Sequence, residues 1–195
     1  MGFYPVKFED MPYDRAYFDK YRKDRDTPIG RALNHARVEM VARYWNGQVV
    51  DFGIGDGAFI SSRGGNTLGY DVNPAGIEWL KEQNCFTDFY AGSHDAVSFW
   101  DSLEHVYDIE GVVARIRKFA FVSIPIFTSE THCLNSKHFR KDQHVWYFTA
   151  DGITAWFARQ GFRRREWNDY ETVIGREDIA SFVFERVENG DICKG

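Results

Sequence analysis

The stretch "VVDFGIGDGAFI", Val49–Ile60, decides how the rest of the chain is read. An apolar run ends in an acid, Asp51, and three glycines follow at alternate positions, Gly53, Gly55 and Gly57. A short apolar strand, a glycine turn and a second apolar segment, "AFISSR", read as strand, turn and helix. A helix N-terminus offers free N–H groups and the positive end of a dipole. Glycines at such a place either make a tight turn or let a ligand touch the main chain.

Outward from this point, strands and helices alternate. "TLGYDV" is expected as the second strand and "NPAGIEWLKEQN" as a helix, with Asn73 as its cap and Pro74 in its first turn. "CFTDFY" and "DAVSFWDSL" read as the third and fourth strands, "DIEGVVARIRK" as a helix. "FAFVSIPIF" reads as a fifth strand, apolar enough to be buried on both faces. A polar loop, "TSETHCLNSKHFRKDQH", leads to a helix over "TADGITAWFARQG" and two last strands, "FRRREWNDYE" and "ASFVFERV". Upstream, "TPIGRALNHARVEMVARYW" has helical periodicity, with Thr27 as cap, Pro28 at the first position and Asn46-Gly47 as the stop. Tyr13, Tyr17 and Tyr21 recur every four residues beside Phe18, one face of an N-terminal helix placed to act as a lid. The expectation is an α/β Rossmann-like fold: a mostly parallel seven-stranded sheet, helices on both faces and a C-terminal antiparallel hairpin. Residues 1–45 would form a helical cap and residues 46–190 the ligand-binding domain.

In an open α/β sheet a ligand sits at the carboxyl ends of the strands. "GYDVNP" puts Asp71 at the tip of the second strand, where an acid can take both hydroxyls of a ribose. The plainer role, capping the next helix, already falls to Asn73. Loop and acid together point to an adenosine cofactor, a nicotinamide dinucleotide or S-adenosylmethionine. The dinucleotide fingerprint is G-x-G-x-x-G, and here the third glycine comes one residue early. Asp51 and Asp56 would repel a pyrophosphate and attract a sulfonium and an ammonium group. The chemistry favours S-adenosylmethionine.

These segments resemble class I S-adenosylmethionine-dependent methyltransferases. "VVDFGIGDGAFI" is similar to their first motif and "GYDVNP" to their second. "FWDSLEHV" resembles the segment after the fourth strand in the small-molecule branch that includes ubiquinone-type and sugar methyltransferases. "HVWYFTADGITAWFARQGF" resembles a later segment of that branch. The resemblance covers roughly residues 45–187. It implies that Asp51, Gly53, Gly55, Asp56, Gly57, Asp71, Val72, Trp100 and Asp101 bind the cofactor, with Tyr70 beside the adenine. It also places Trp100, Asp101 and Leu103 under the methyl group or its acceptor. The family's acid and extra helix between the third and fourth strands are replaced here by "AGSH", so Asp88 or the backbone of Gly92–His94 would have to serve the adenine.

On the acceptor side, methyl transfer to a hydroxyl gains from a general base. His105, in "LEH", and His144, in "HVWYFT", are the catalytic candidates together with Asp101; either histidine could instead be structural. His132, His138 and His144 recur six apart with Cys133 and Asp142 near them, but neither CxxC nor HExxH is present, and no metal is expected.

Net charge is −5, and the one basic cluster, Arg163–Arg165, lies on an expected strand whose alternate residues face opposite sides. A nucleic-acid partner is therefore not expected, and neither the D/N-P-P-Y/F turn of base-amine methylation nor a Pro-Cys nucleophile occurs. Three scattered cysteines suggest a reducing, cytoplasmic setting. No leader peptide, acylation pattern or membrane span is expected. The reading is methyl transfer to O or N of a small-molecule acceptor such as a sugar, nucleotide or metabolite. The alternatives are a non-catalytic cofactor-binding module and methylation of a nucleic-acid or protein acceptor. The aromatic N-terminal helix would suit a homodimer as well as a lid.

Overall fold

The computed structural model describes residues 2, 3, 15 and 25–187. In chain order the elements are β1 (Gly2–Phe3), α1 (Pro28–Ala42), β2 (Val49–Phe52), α2 (Ala58–Arg63), β3 (Thr67–Tyr70) and α3 (Pro74–Glu82). There follow β4 (His94–Trp100), α4 (Ile109–Val113), β5 (Ile116–Pro125), α5 (Glu130–Asn135) and β6 (Trp146–Tyr147). The chain closes with α6 (Ala150–Arg159), β7 (Phe162–Asn168), α7 (Tyr170–Val173) and β8 (Ile179–Arg186). Tyr13, Tyr17, Phe18 and Tyr21, and with them the expected lid helix, lie outside the described residues.

Local chemistry sets the helix starts. The Thr27 hydroxyl accepts from the Gly30 N–H at 3.0 Å, with Pro28 in the first turn of α1. Asn73 caps α3 in the same way through Ala75, and Thr149 caps α6 through Gly152. α1 ends at Ala42, one turn before the expected stop at Asn46-Gly47.

The main sheet has the order β3-β2-β4-β5-β8-β7. β3, β2, β4 and β5 run parallel; β8 joins β5 antiparallel, and β7 joins β8 antiparallel as the expected hairpin. The sheet has six strands rather than seven, because the expected strand over "CFTDFY" supplies only one parallel bridge, Gly69 to Phe86. Asp88 then diverts the chain: its carboxylate accepts from the Tyr90 N–H at 3.0 Å and starts a 3₁₀ turn over Phe89–Ala91. Two helical turns stand where none is expected: α5 in the polar loop behind the Ser129 cap, and α7, which takes Tyr170 and Glu171 from the end of the expected strand "FRRREWNDYE" because β7 stops at Asn168.

Alternation along the strands splits the core between the two faces. Phe99, Val122 and Phe184 join one cluster with Phe157 and Trp156 of α6; Trp100, Phe121 and Val183 join another with Met40 and Val41 of α1. The aromatic surplus is largely core: the rings of Phe157 and Phe184 stack 3.9 Å apart. No helix among the described residues is long and apolar enough to cross a membrane.

β2 has β3 on one side and β4 on the other, so chain order reverses there and a crevice opens at their carboxyl ends. The glycine loop and the segment after Trp100 both leave the sheet at that edge.

Candidate active site

A cavity of about 650 Å³ occupies the crevice, within the range of small-molecule sites. Its cofactor end is built on the glycine loop. Gly53, Gly55 and Gly57 all have positive φ, at 78°, 56° and 74°. At Gly53 a Cβ would meet Ser102 Cβ at 2.7 Å, so the loop lies tight against the segment after β4. At Gly55 a Cβ would meet nothing within 4 Å. Gly55 lines the cavity, and its bare backbone leaves room for a ligand there.

Three carboxylates surround this loop. Asp71 holds it in place: one oxygen accepts from the Ile54 N–H at 2.9 Å, the other from the Asn73 N–H at 2.7 Å. Each oxygen keeps a further lone pair for a hydroxyl donor. Burial raises the Asp71 carboxyl above its ordinary range, and these N–H groups pull it back. Asp51, 1% exposed, accepts from Ser98 Oγ at 2.8 Å. Burial lifts its carboxyl to about 7 against the pull of Ser98 and Arg37, and Asp71 and Asp56 add to the rise. Asp56 accepts from the Ala58 N–H at 2.9 Å at the start of α2, and burial raises it too. Val72 and Trp100 also line the cavity. Gly57 caps α2 behind the loop.

The abbreviated adenine side is walled by two tyrosines. Tyr70 and Tyr90 line the cavity with their rings 5.5 Å apart. Neither Asp88, which starts the 3₁₀ turn, nor Gly92–His94 lines the cavity.

This donor set fits S-adenosylmethionine. The lining offers an open backbone at Gly55, the rings of Tyr70 and Tyr90, spare lone pairs on Asp71 that would suit ribose hydroxyls, and the buried Asp51 and half-buried Asp56 that would suit cationic groups.

At the acceptor end Asp101 sits just past β4 with φ 55°, left-handed for a residue that is not glycine. Its Oδ2 accepts from Arg37 at 3.0 Å and pairs with Arg176 at 2.9 Å. Arg37 also holds the 2%-exposed Glu171 at 2.9 Å, and Arg176 pairs with that same carboxylate. Burial pushes the Asp101 carboxyl up, but Arg176 and Arg37 outweigh it and hold it at about 2. Asp101 is thus a permanently ionised clamp. The Arg37 guanidinium also lies 5.0 Å from the Trp100 ring centre.

Glu104 and His105 belong to a single 3₁₀ turn after Asp101, not to the start of a longer helix. His144 reaches the same wall from the long loop, its ring edge-on to His105 at 4.6 Å between centroids. His105 Nδ1 donates to the Gln143 carbonyl at 2.9 Å, so the neutral ring keeps its lone pair on Nε2. Burial lowers His105 to about 4 and His144 to about 3, and both imidazoles are uncharged near neutral pH. Burial raises Glu104 far above its ordinary range, and Asp101 adds to this. His138 also lines the cavity, its Nε2 bonded to the Glu177 carbonyl at 2.9 Å, whereas His132 pairs with Asp178 at 3.1 Å outside it.

The cavity gathers Asp51, Gly53, Gly55, Asp56, Asp71, Val72, Trp100, Asp101, His105 and His144, whereas Gly57 and the fully buried Leu103 do not line it. Sequence reasoning assigned no site role to Arg37, Glu171 or Arg176, which no local motif marks. Glu104 had a signal, its place in "LEH" beside a candidate histidine.

A profile of the methyltransferase domain family matches residues 21–166. Magnesium protoporphyrin IX methyltransferase from Synechocystis PCC 6803, solved with bound SAH, is similar over 90% of this chain and 96% of its own, with TM-score 0.65 and 14% identity. A Thermotoga maritima SAM-dependent methyltransferase, described as a possible histamine N-methyltransferase, matches over 88% and 97%, with TM-score 0.62 and 12% identity. The cyclase SpnF shares the fold at TM-score 0.57 and 12% identity, over 80% of this chain and 82% of its own. No curated protein matches.

Proposed function

The chain belongs to the methyltransferase domain family and is an S-adenosylmethionine-dependent methyltransferase, and from that premise we propose that it methylates an oxygen or nitrogen of a small molecule. The observation that carries the acceptor reading is the two-ended cavity. Carboxylates and bare backbone line one end, and uncharged imidazoles line the other, inside one enclosure of about 650 Å³. That volume admits a cofactor and a metabolite-sized partner rather than a folded macromolecule.

The cofactor brings a methyl group on a sulfonium, whose sulfur leaves without needing a proton. We assign the remaining work to positioning. Asp71 takes the ribose hydroxyls, Gly53 and Gly55 let the adenosine approach the main chain, and Asp51 and Asp56 face the positive groups. Val72, Tyr70 and Tyr90 flank the base. Trp100 and Asp101 floor the transfer point, with Asp101 as a positioning residue because two guanidiniums hold its carboxylate. His105 and His144 meet the acceptor, and the free Nε2 of His105 draws its proton. The start of α1 and the residue run before it are assigned to covering this cavity, since Arg25, Gly30, Leu33 and Asn34 line it.

The test is transfer of a labelled methyl group from S-adenosylmethionine to panels of small hydroxyl and amine compounds, beside RNA and protein panels. Label in small-molecule products is expected. Label confined to RNA or protein would overturn the acceptor reading, and binding without turnover on any panel would favour a cofactor-binding module.

A further inference from the structure

Glu104, His105 and His144 come from two different loops and meet at the acceptor wall. One ligand-capable atom of each lies within 4.8 Å of the other two. Glu104 is 2% exposed, and its Oε2 has no hydrogen-bond partner. Native structures leave few buried polar atoms in that condition, and each one calls for an explanation. His105 is fixed from behind, its Nδ1–H on the Gln143 carbonyl and its Nε2 lone pair free. A carbonyl behind and a lone pair in front is how proteins orient a metal-binding imidazole. The His144 ring stands at 86° to that of His105, with centroids 4.6 Å apart.

We propose that Glu104, His105 and His144 hold a divalent first-row transition cation whose open positions receive a hydroxyl oxygen of the methyl acceptor. The inference rests on the methyltransferase reading of the cavity and refines its acceptor side: the cation takes over from the bare His105 imidazole, and the acceptor is an alcohol or phenol. Two imidazoles with one carboxylate suit manganese, iron, cobalt or zinc rather than magnesium or calcium. Three protein ligands leave the open position that catalytic sites need. Ligands about 2.1 Å from an ion stand about 3.4 Å apart at tetrahedral angles, so roughly 1 Å of side-chain movement closes the site. The charges nearby permit it. Arg176 is committed to Asp101 and Glu171, Asp101 contributes a negative charge, and Arg140 is a further cation acting on Glu104.

Bound to such an ion, the acceptor hydroxyl becomes more acidic. Its proton leaves to solvent, its oxygen forms the bond to the methyl carbon as the carbon–sulfur bond breaks, and sulfur keeps that electron pair. No oxidant or reductant enters.

The test uses the full chain, stripped with a chelator and titrated with Co²⁺. Visible absorption bands saturating at one equivalent, bleached by Zn²⁺ and not by Mg²⁺, are expected. Glu104→Gln and His144→Asn should each lose the bands while keeping the thermal shift given by S-adenosylhomocysteine, which also shows that they fold. Absence of bands in the wild-type chain, or bands unchanged in both variants, would overturn the site. If a variant fails to fold, zinc displacement of cobalt in the wild-type chain still decides whether a cation is held. The S-adenosylhomocysteine shift is read separately: its loss with cobalt binding intact would uphold the cation site and break the methyltransferase reading.

Discussion

At the cofactor end of the cavity, Asp51, the glycines and Asp71 all lie in one strand–helix–strand unit, β2-α2-β3, and the carboxylates bind backbone N–H groups or a neighbouring hydroxyl. At the acceptor end, Arg37 reaches Asp101 64 positions away and Glu171 134 positions away, and charge is matched by charge. Among the described residues the carboxylates of the first end make no ion pair, and burial raises all three. The second has already neutralised its ions and presents uncharged lone pairs.

The sharpest way to break this contrast is Arg37→Ala. It strips a partner from two carboxylates, one of them 2% exposed, and breaking a buried pair costs about 3–5 kcal/mol. Thermal unfolding should fall by roughly 10 °C at this chain length. A midpoint unchanged from wild type would mean that the ion cluster does not lock the acceptor end.

Asp51→Asn should act in the opposite sense. The folded chain keeps the Asp51 proton up to about pH 7, while the unfolded chain releases it near its ordinary 3.8. Between those values the folded state binds more protons, so stability falls as pH rises, and above them the cost of the buried charge is fully present. The asparagine removes this loss and still accepts from Ser98. It should stabilise the free protein at pH 8 by up to about 4 kcal/mol, with little change at pH 4, and weaken S-adenosylmethionine binding. Denaturant melts at the two pH values check this; equal effects at both would show that Asp51 is not the strained carboxyl.

Asp71→Ala should lower S-adenosylhomocysteine affinity by about 1–3 kcal/mol, measured by calorimetry, since it also leaves the Ile54 and Asn73 N–H groups without partners. Unchanged affinity would reduce Asp71 to a brace. The smallest effect on stability belongs to Gly55→Ala. The new Cβ has room, so only the left-handed backbone costs, about 1–2 kcal/mol. Cofactor affinity that fell much further than stability would place the ligand where that Cβ points.

The contrast also explains what the sequence let one read. The glycine loop, Asp71 and the strand–helix alternation were legible because each is a local pattern with a local cause. "CFTDFY" has strand-like residues, yet Asp88 captures the Tyr90 N–H and turns the chain, a side-chain choice that periodicity does not register. α5 hid in a polar loop because its stability comes from the Ser129 cap, not from an apolar stripe. No local motif marks Arg37; only folding brings it to Asp101 and Glu171. His105 and His144 were marked singly by "LEH" and "HVWYFT", but their meeting with Glu104 depends on where the long loop returns.

Helix α1 has one further consequence, for traffic in and out of the cavity. Its last turns are anchored, with Met40 and Val41 in the core of one sheet face and Arg37 in the ion cluster. Its first turns carry Gly30, Leu33 and Asn34 along the cavity rim, while Pro28 and Ile29 stay exposed. The helix cannot swing away as a rigid door without tearing out the core. Any opening at α1 is therefore confined to its first two turns, where the Thr27 hydroxyl holds the Gly30 N–H at 3.0 Å.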